Sequence, residues 1–207
     1  MTPRVGVAPA RRAAIVAATI RCLARDGYAG LTMKRVAAEA RLSQGILHYY
    51  FRDKRAILAA AALQVTEDLD RRVAAEARGA RGARGRLRAL IRACLEVAVR
   101  DRGAWTVFIE FWGETLHDRE LAALNARTYA RTRRLIGRLI AAGVAEGAFR
   151  RVRVPEASAL VLAVLDGLSL QLTFEAEVMP LPRAERVCEE ALLACLGRRR
   201  PPRRTTR

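Results

Sequence analysis

Gln44, Gly45, His48 and Tyr49 lie close together in the stretch "RLSQGILHYYFRDK", Arg41 to Lys54, and their types suit contact with a nucleic-acid duplex. On a helix turning 100° per residue these four fall on one side, while Leu47, Tyr50 and Phe51 fall on the other. Gln44 can pair bidentately with adenine, and Ile46, at the edge of the same face, suits a thymine methyl. Gly45 lacks a side chain, so the helix backbone there can approach DNA closely. The hydroxyls of Ser43, Tyr49 and Tyr50 and the ammonium of Lys54 suit phosphate oxygens, which fix position without reading sequence. Leu47 and Phe51 are read as core, packed on Val36 and the first helix. One short segment thus faces a core and a polyanion at once.

The elements that must position it follow from caps and apolar spacing. Pro9 to Asp26 carries Ile15, Ile20 and Leu23 among alanines, and Gly27 is a helix stop. Thr32 and Ser43 each precede a short helical run and can cap its free amides. Only a tight turn separates the two runs, the pattern of a helix-turn-helix. Asp53 caps a long fourth helix, and Gly79, Gly82 and Gly85 mark a break, read as a hinge or a surface loop. Helical patterns resume over 86–100, 104–116, 119–142, 155–175 and 183–196. The expectation is an all-α chain of about nine helices: an N-terminal three-helix domain and a larger C-terminal helical domain. The boundaries are 1–55, 56–197 and a disordered basic tail at 198–207.

Charge separates the halves. The chain has 207 residues and a net charge of +17. Residues 1–60 hold 11 basic and 3 acidic side chains, whereas 105–197 hold 11 and 12. A basic block beside a neutral one fits a polyanion-binding part joined to something else. Cys22, Cys94, Cys188 and Cys195 form no CxxC pair, lie within apolar helical patterns and read as buried thiols in a reducing compartment. No apolar run near membrane-spanning length stands out and the N-terminal residues lack the apolar centre of a secretory signal, so a cytoplasmic location and no membrane partner are expected.

The run "GLTMKRVAAEARLSQGILHYYFRDKRAIL" resembles the DNA-binding domain of the TetR family of transcriptional regulators. The resemblance covers residues 11–60 and rests on Thr32, Val36-Ala37, Ala40, Leu42-Ser43, Gly45, Leu47, Tyr49-Tyr50-Phe51 and Lys54. It implies DNA contact at Thr32, Lys34, Ser43, Gln44, Gly45, Ile46, His48, Tyr49, Tyr50 and Lys54. Two positions depart from the family pattern: Arg41 replaces the usual turn glycine, and His48 replaces a tyrosine.

In the second half, Trp105, Phe108, Ile109 and Trp112 share one helical face, which reads first as core and second as the wall of a ligand cavity. Phe111, Glu110 and Glu114 point away from it. The phrase "FIEFWGETLHD" with "LDGL" at 165–168 is similar to the choline/betaine-responsive branch of the family. That similarity implies a cationic effector in an aromatic box with a carboxylate nearby. Tyr129, Asp166 and Gln171 are polar groups on apolar helices, candidates for effector contact or for ordinary core hydrogen bonds. Leu160, Val161, Val164, Leu168, Leu172, Val187, Ala191, Leu192 and Cys195 line the last two helices and suit a two-fold dimer interface.

These readings converge on an effector-responsive transcriptional repressor, binding a near-palindromic operator as a homodimer and released by a small molecule. The long fourth helix is the natural lever from the DNA-binding domain into the sensor. The alternative is a nucleoid-type DNA coater without effector control. Regulation by activation stays open as well, since its sign depends on operator placement. Enzyme motifs (GxSxG, a phosphate-cradling glycine loop, HExxH) are missing from the sequence. Two distant histidines and no cysteine cluster give no zinc spacing, so neither metal nor cofactor is expected.

Overall fold

The structure, a computed structural model, describes residues 7–175 and 177–197; the tail at 198–207 lies outside them. The described residues form nine helices: α1 (Val7–Gly30), α2 (Met33–Glu39), α3 (Gln44–Tyr50), α4 (Lys54–Gly79), α5 (Gly82–Arg100), α6 (Arg102–Thr115), α7 (Arg119–Ala145), α8 (Val154–Phe174) and α9 (Leu181–Leu196). The chain divides into two compact units, residues 1–71 with 100–129 and residues 72–99 with 130–207. The first therefore holds the helix-turn-helix together with α6 and the start of α7. Helices α4 and α7 contribute residues to both.

In the first unit, α2 and α6 both pack on α1, and α3 packs on α2. The core is built from Ile15, Val16, Ala18, Cys22 and Leu23 of α1, Val36 and Ala37 of α2, Leu47 of α3, and Val107 and Phe111 of α6, all buried. Gly27, expected to stop α1, instead bends it, with φ 64° and ψ −177°, and one more turn follows to Gly30. A positive φ of this kind is cheap only for glycine. Helix α6 comes close to α1 at Gly103, where a Cβ would stand 3.3 Å from Ile20 Cγ2.

The second unit closes around α5, the later part of α7, α8 and α9, with Leu87, Ile91, Leu95, Ile140, Val161, Leu165 and Leu192 at its centre. Helix α5 starts at Gly82, four residues before its expected start at Arg86. Glu146 explains this, since its carboxylate accepts the Ala83 N–H at 3.0 Å and pairs with Arg86, satisfying the free end of the helix. The break between α4 and α5 therefore shrinks to residues 80–81. At the far end of α9, the Arg150 N–H donates to the Leu196 carbonyl and its Nε–H to the Cys195 carbonyl, both at 2.8 Å. Cys22 and Cys188 are buried as expected, whereas Cys94 is half-buried and Cys195, on the outer side of α9, is exposed. Burial pushes the Cys188 thiol up to about 12, which keeps it protonated and inert.

Helix α8 is, by length and composition, apolar enough to cross a membrane, contrary to the expectation that no such run exists. Its apolarity has a local use, since Val161, Leu165, Leu168 and Leu172 are buried in the second unit.

Phe149 lies against Gly143 so closely that a Cβ there would run into the ring, and would also stand 2.9 Å from Ala83 Cβ. Overpacking at a closed site costs about 1–3 kcal/mol. Gly143→Ala is expected to lower the unfolding free energy by that much, read as a lower urea midpoint with an unchanged slope, whereas Gly113→Ala, facing open space, leaves stability unchanged or slightly raised. Equal midpoints for the two variants would contradict this packing.

Candidate nucleic-acid interface and effector site

Helix α2 begins at its cap, where the Arg35 N–H donates to Thr32 Oγ1 at 3.2 Å, and α3 begins where the Ile46 N–H donates to Ser43 Oγ at 3.3 Å. Both hydroxyls expected to contact DNA thus also hold the helix ends in place. The turn between them is a Schellman closure, with the Leu42 N–H donating to the Ala37 carbonyl and the Arg41 N–H to the Ala38 carbonyl. That closure requires a left-handed residue, and Arg41 takes it with φ 55°. It is the one described non-glycine residue with positive φ.

Along α3 the two faces separate as the periodicity requires. Leu47 is fully buried and Phe51 is 5% exposed, while Gln44, Gly45, His48 and Tyr49 are exposed, Tyr49 at 74%. A Cβ at Gly45 would find only Ser43 Oγ, at 4.0 Å, so the glycine is not required by packing within the protein. Thr32, Lys34 and Ser43 are exposed as well, and Ile46 is half-buried. Tyr50 is also half-buried, its ring edge-on to Tyr49 at 5.2 Å between centroids. Lys54 takes a different place, its ammonium 3.7 Å above the ring of Tyr28. The guanidinium of Arg12 lies 5.1 Å from the Phe51 ring centroid and adds positive charge beside α3.

Several contacts tie these helices to α6 and the start of α7. Just past the bend at Gly27, the Tyr28 N–H donates to Glu110 Oε1 at 3.0 Å. Burial, reinforced by Glu114 beside it, pushes the Tyr28 phenol up to about 12. Asp53 caps α4 by accepting the Ala56 N–H at 2.8 Å. Next to it, Arg52 pairs with Glu120 at 2.8 Å and Arg55 with Asp118 at 3.1 Å. The Leu121 and Glu120 N–H groups, with Arg55 and Arg52 nearby, hold the Asp118 carboxyl below its usual range. Apart from the half-buried Asp118 these groups face solvent, and the pairs are individually weak; their use is in fixing register. Sequence reasoning missed Glu110 as a partner, because a contact between residues 28 and 110 leaves no local pattern.

The aromatic residues of α6 form one cluster with Tyr129 of α7. Ring centroids stand 6.4 Å apart for Trp105–Phe108, 6.2 Å for Trp105–Trp112 and 6.4 Å for Trp112–Tyr129. Trp105 is buried, while Phe108, Ile109, Trp112 and Tyr129 are half-buried. Phe111, expected off the aromatic stripe, is 3% exposed and belongs to the core with Ala104 and Val107. Helix α6 has two partners, so its α1 face and its aromatic face are both occupied. Asp166, half-buried, and Gln171, exposed, stand on α8 in the other unit. No group of three metal-ligating side chains occurs among the described residues.

The nine side chains assigned to a dimer interface divide by burial. Val161, Leu168, Leu172 and Leu192 are buried in the second unit's own core, because α8 and α9 pack on one another. Val164 is half-buried, and Leu160, Val187, Ala191 and Cys195 are exposed. An interface with a second copy has those outward residues to work with.

Comparison with known proteins agrees with this geometry. Residues 15–61 match the family described as bacterial regulatory proteins, tetR family, and residues 83–197 match BetI-type transcriptional repressor, C-terminal. The HTH-type transcriptional regulator BetI of Paraburkholderia phymatum is 33% identical over 174 residues, covering 82% of this chain and 84% of its own. The protein of the same name from Paraburkholderia phytofirmans is 30% identical over 198 residues, covering 95% and 99%. A crystal structure of a transcriptional regulator from Saccharomonospora viridis in complex with choline superposes with TM-score 0.81 and 26% identity, covering 93% of this chain and 100% of that one.

The left-handed Arg41 stores backbone strain of about 1–2 kcal/mol, partly offset in a glycine by its greater freedom when unfolded. Arg41→Gly is expected to raise stability by about 0.5–1 kcal/mol in urea titration. A destabilised variant would mean that the Arg41 side chain contributes more than its backbone costs.

Proposed function

The chain belongs to the TetR family of transcriptional regulators, with a BetI-type C-terminal half, and on that premise we propose that it is a cytoplasmic homodimeric repressor released from DNA by a quaternary-ammonium effector such as choline. It is a regulator, not an enzyme. Residues 1–55 read the operator, and residues 56–197 bind effector and pair the protomers. Pairing is needed on physical grounds. One seven-residue recognition helix reads too few base pairs, and two copies extend the site to a near-palindrome with half-sites about 34 Å apart.

The observation that carries the DNA-reading role is the division of α3 into a buried and an open face. Leu47 and Phe51 anchor it, and Gln44, Gly45, His48 and Tyr49 are left facing outward with no partner that packing demands. Thr32, Lys34 and Ser43 flank that face; Ile46 and Tyr50 border it. Lys54 can exchange its Tyr28 ring for a phosphate at little cost, since exposed cation–π contacts are worth about 0.5–1 kcal/mol.

The effector role rests on the cluster of Trp105, Phe108, Trp112 and Tyr129, with Ile109 at its edge. Electron-rich ring faces attract a cation that has shed its water, and a trimethylammonium head sheds water readily. Two of the three ring pairs meet edge to face and the third is tilted, so a cation enters by parting them, at about 0.5–1.5 kcal/mol per ring pair. The choline bound to the Saccharomonospora viridis regulator supports this class of ligand.

Selection of bound DNA from a random pool at physiological salt, with choline added to half the samples, tests the reading. The expected result is an enriched near-palindrome that choline disperses. With Gln44→Ala the same outline is expected to blur at one position per half-site, at about 1–3 kcal/mol of lost discrimination. Tight binding at low salt without enrichment would instead establish the DNA coater.

A further inference from the structure

Trp105 is the most deeply buried ring of the aromatic cluster, 8% exposed, and its Nε1 is closed off from solvent. Among the described residues that N–H has no hydrogen-bond partner. The neighbouring rings, Phe108 and Trp112, meet Trp105 edge-on or tilted and bring no oxygen to it. A buried donor left unmade costs about 1–3 kcal/mol, and proteins rarely keep one without a use. A phenylalanine, though smaller, would place an aromatic ring there without that cost.

We propose that the Trp105 indole N–H determines effector specificity, donating a hydrogen bond to an oxygen carried by the effector close to its cationic head. The inference rests on the aromatic cluster being the effector site, and it narrows the ligand class. The surrounding rings recognise the quaternary ammonium and cannot tell one alkyl chain from another of similar size. Trp105 supplies the missing polar discrimination. A hydroxyl or carboxylate oxygen three bonds from the nitrogen satisfies the buried donor, whereas a plain alkylammonium of the same shape leaves it unmade. A site built around one buried polar partner rejects the analogue lacking it far better than an apolar pocket rejects an extra methylene.

The test is titration calorimetry of the full chain with choline and with ethyltrimethylammonium, which lacks only the hydroxyl. The wild-type protein is expected to bind choline roughly 5- to 50-fold more tightly. Trp105→Phe is expected to bind the two ligands within about 2-fold of each other, both more weakly than the wild type binds ethyltrimethylammonium, because a phenyl face attracts a cation less than an indole face does. If Trp105→Phe fails to fold, proton–nitrogen NMR of the wild-type indoles answers the same question. The chain has two tryptophans, and the slowly exchanging indole is that of the buried Trp105. Its N–H resonance is expected to move downfield with choline and not with ethyltrimethylammonium. Equal wild-type affinities, discrimination that persists in Trp105→Phe, or an indole resonance that responds alike to both ligands would each overturn the proposal while leaving the cation site standing. Binding of neither ligand would overturn both.

Discussion

The hydrogen bond from the Tyr28 N–H to Glu110 is the constraint on which the first unit turns. Helix α1 bends at Gly27, and a bend in a helix frees backbone groups that must find partners. Tyr28 finds its partner on α6, more than eighty residues along the chain. That single carboxylate fixes where the end of α1 sits, and therefore where Thr32 starts α2. Glycine is needed at 27 for two reasons: its φ is positive, and a Cβ there would stand 3.2 Å from Glu110 Oε1.

Helix α6 thereby becomes a shared wall. One face, through Gly103, Ala104, Val107, Glu110 and Phe111, belongs to α1 and the core. The other carries Phe108 and Trp112, which complete the aromatic cluster with Trp105 and Tyr129. A ligand that parts those rings must press on the helix that holds α1. The Tyr28–Lys54 contact and the pairs of Arg52 and Arg55 with Glu120 and Asp118 extend the same linkage to the start of α4 and α7. None is strong alone, yet together they give the effector and the DNA-reading helices a common set of positions to favour or disfavour. Coupling of about 1–3 kcal/mol suffices for regulation and lies within reach of such contacts.

The recognition half was legible in the sequence because its signals are local. Thr32, Ser43 and Asp53 announced three helix starts, and the spacing of Leu47 and Phe51 gave the buried face of α3. The Arg41 turn was legible too, as a place where a glycine was wanted. The sensor half was less so. Periodicity assigns a helix one apolar face, and α6 serves two neighbours, so the spacing set Phe111 off the aromatic stripe without showing that it is buried there. On α8 and α9 the apolar arc is wide because it serves this chain's own core first; spacing could not separate Val161 or Leu192 from the outward Leu160 and Val187. The Glu110–Tyr28 bond and the unmet Trp105 N–H depend on contacts made in three dimensions, and no window of sequence contains them.

Operator affinity measured with and without saturating choline, in the wild type, Glu110→Ala and Glu110→Gln, tests the coupling through α6 most directly. Glutamine keeps an oxygen that can accept the Tyr28 N–H, and alanine does not. The account predicts that choline weakens operator binding about 5- to 150-fold in the wild type. Glu110→Gln should retain most of that response, while Glu110→Ala loses most of it and still binds choline. Full release of Glu110→Ala by choline would contradict the account, since the effector would then reach the DNA-reading helices by another route.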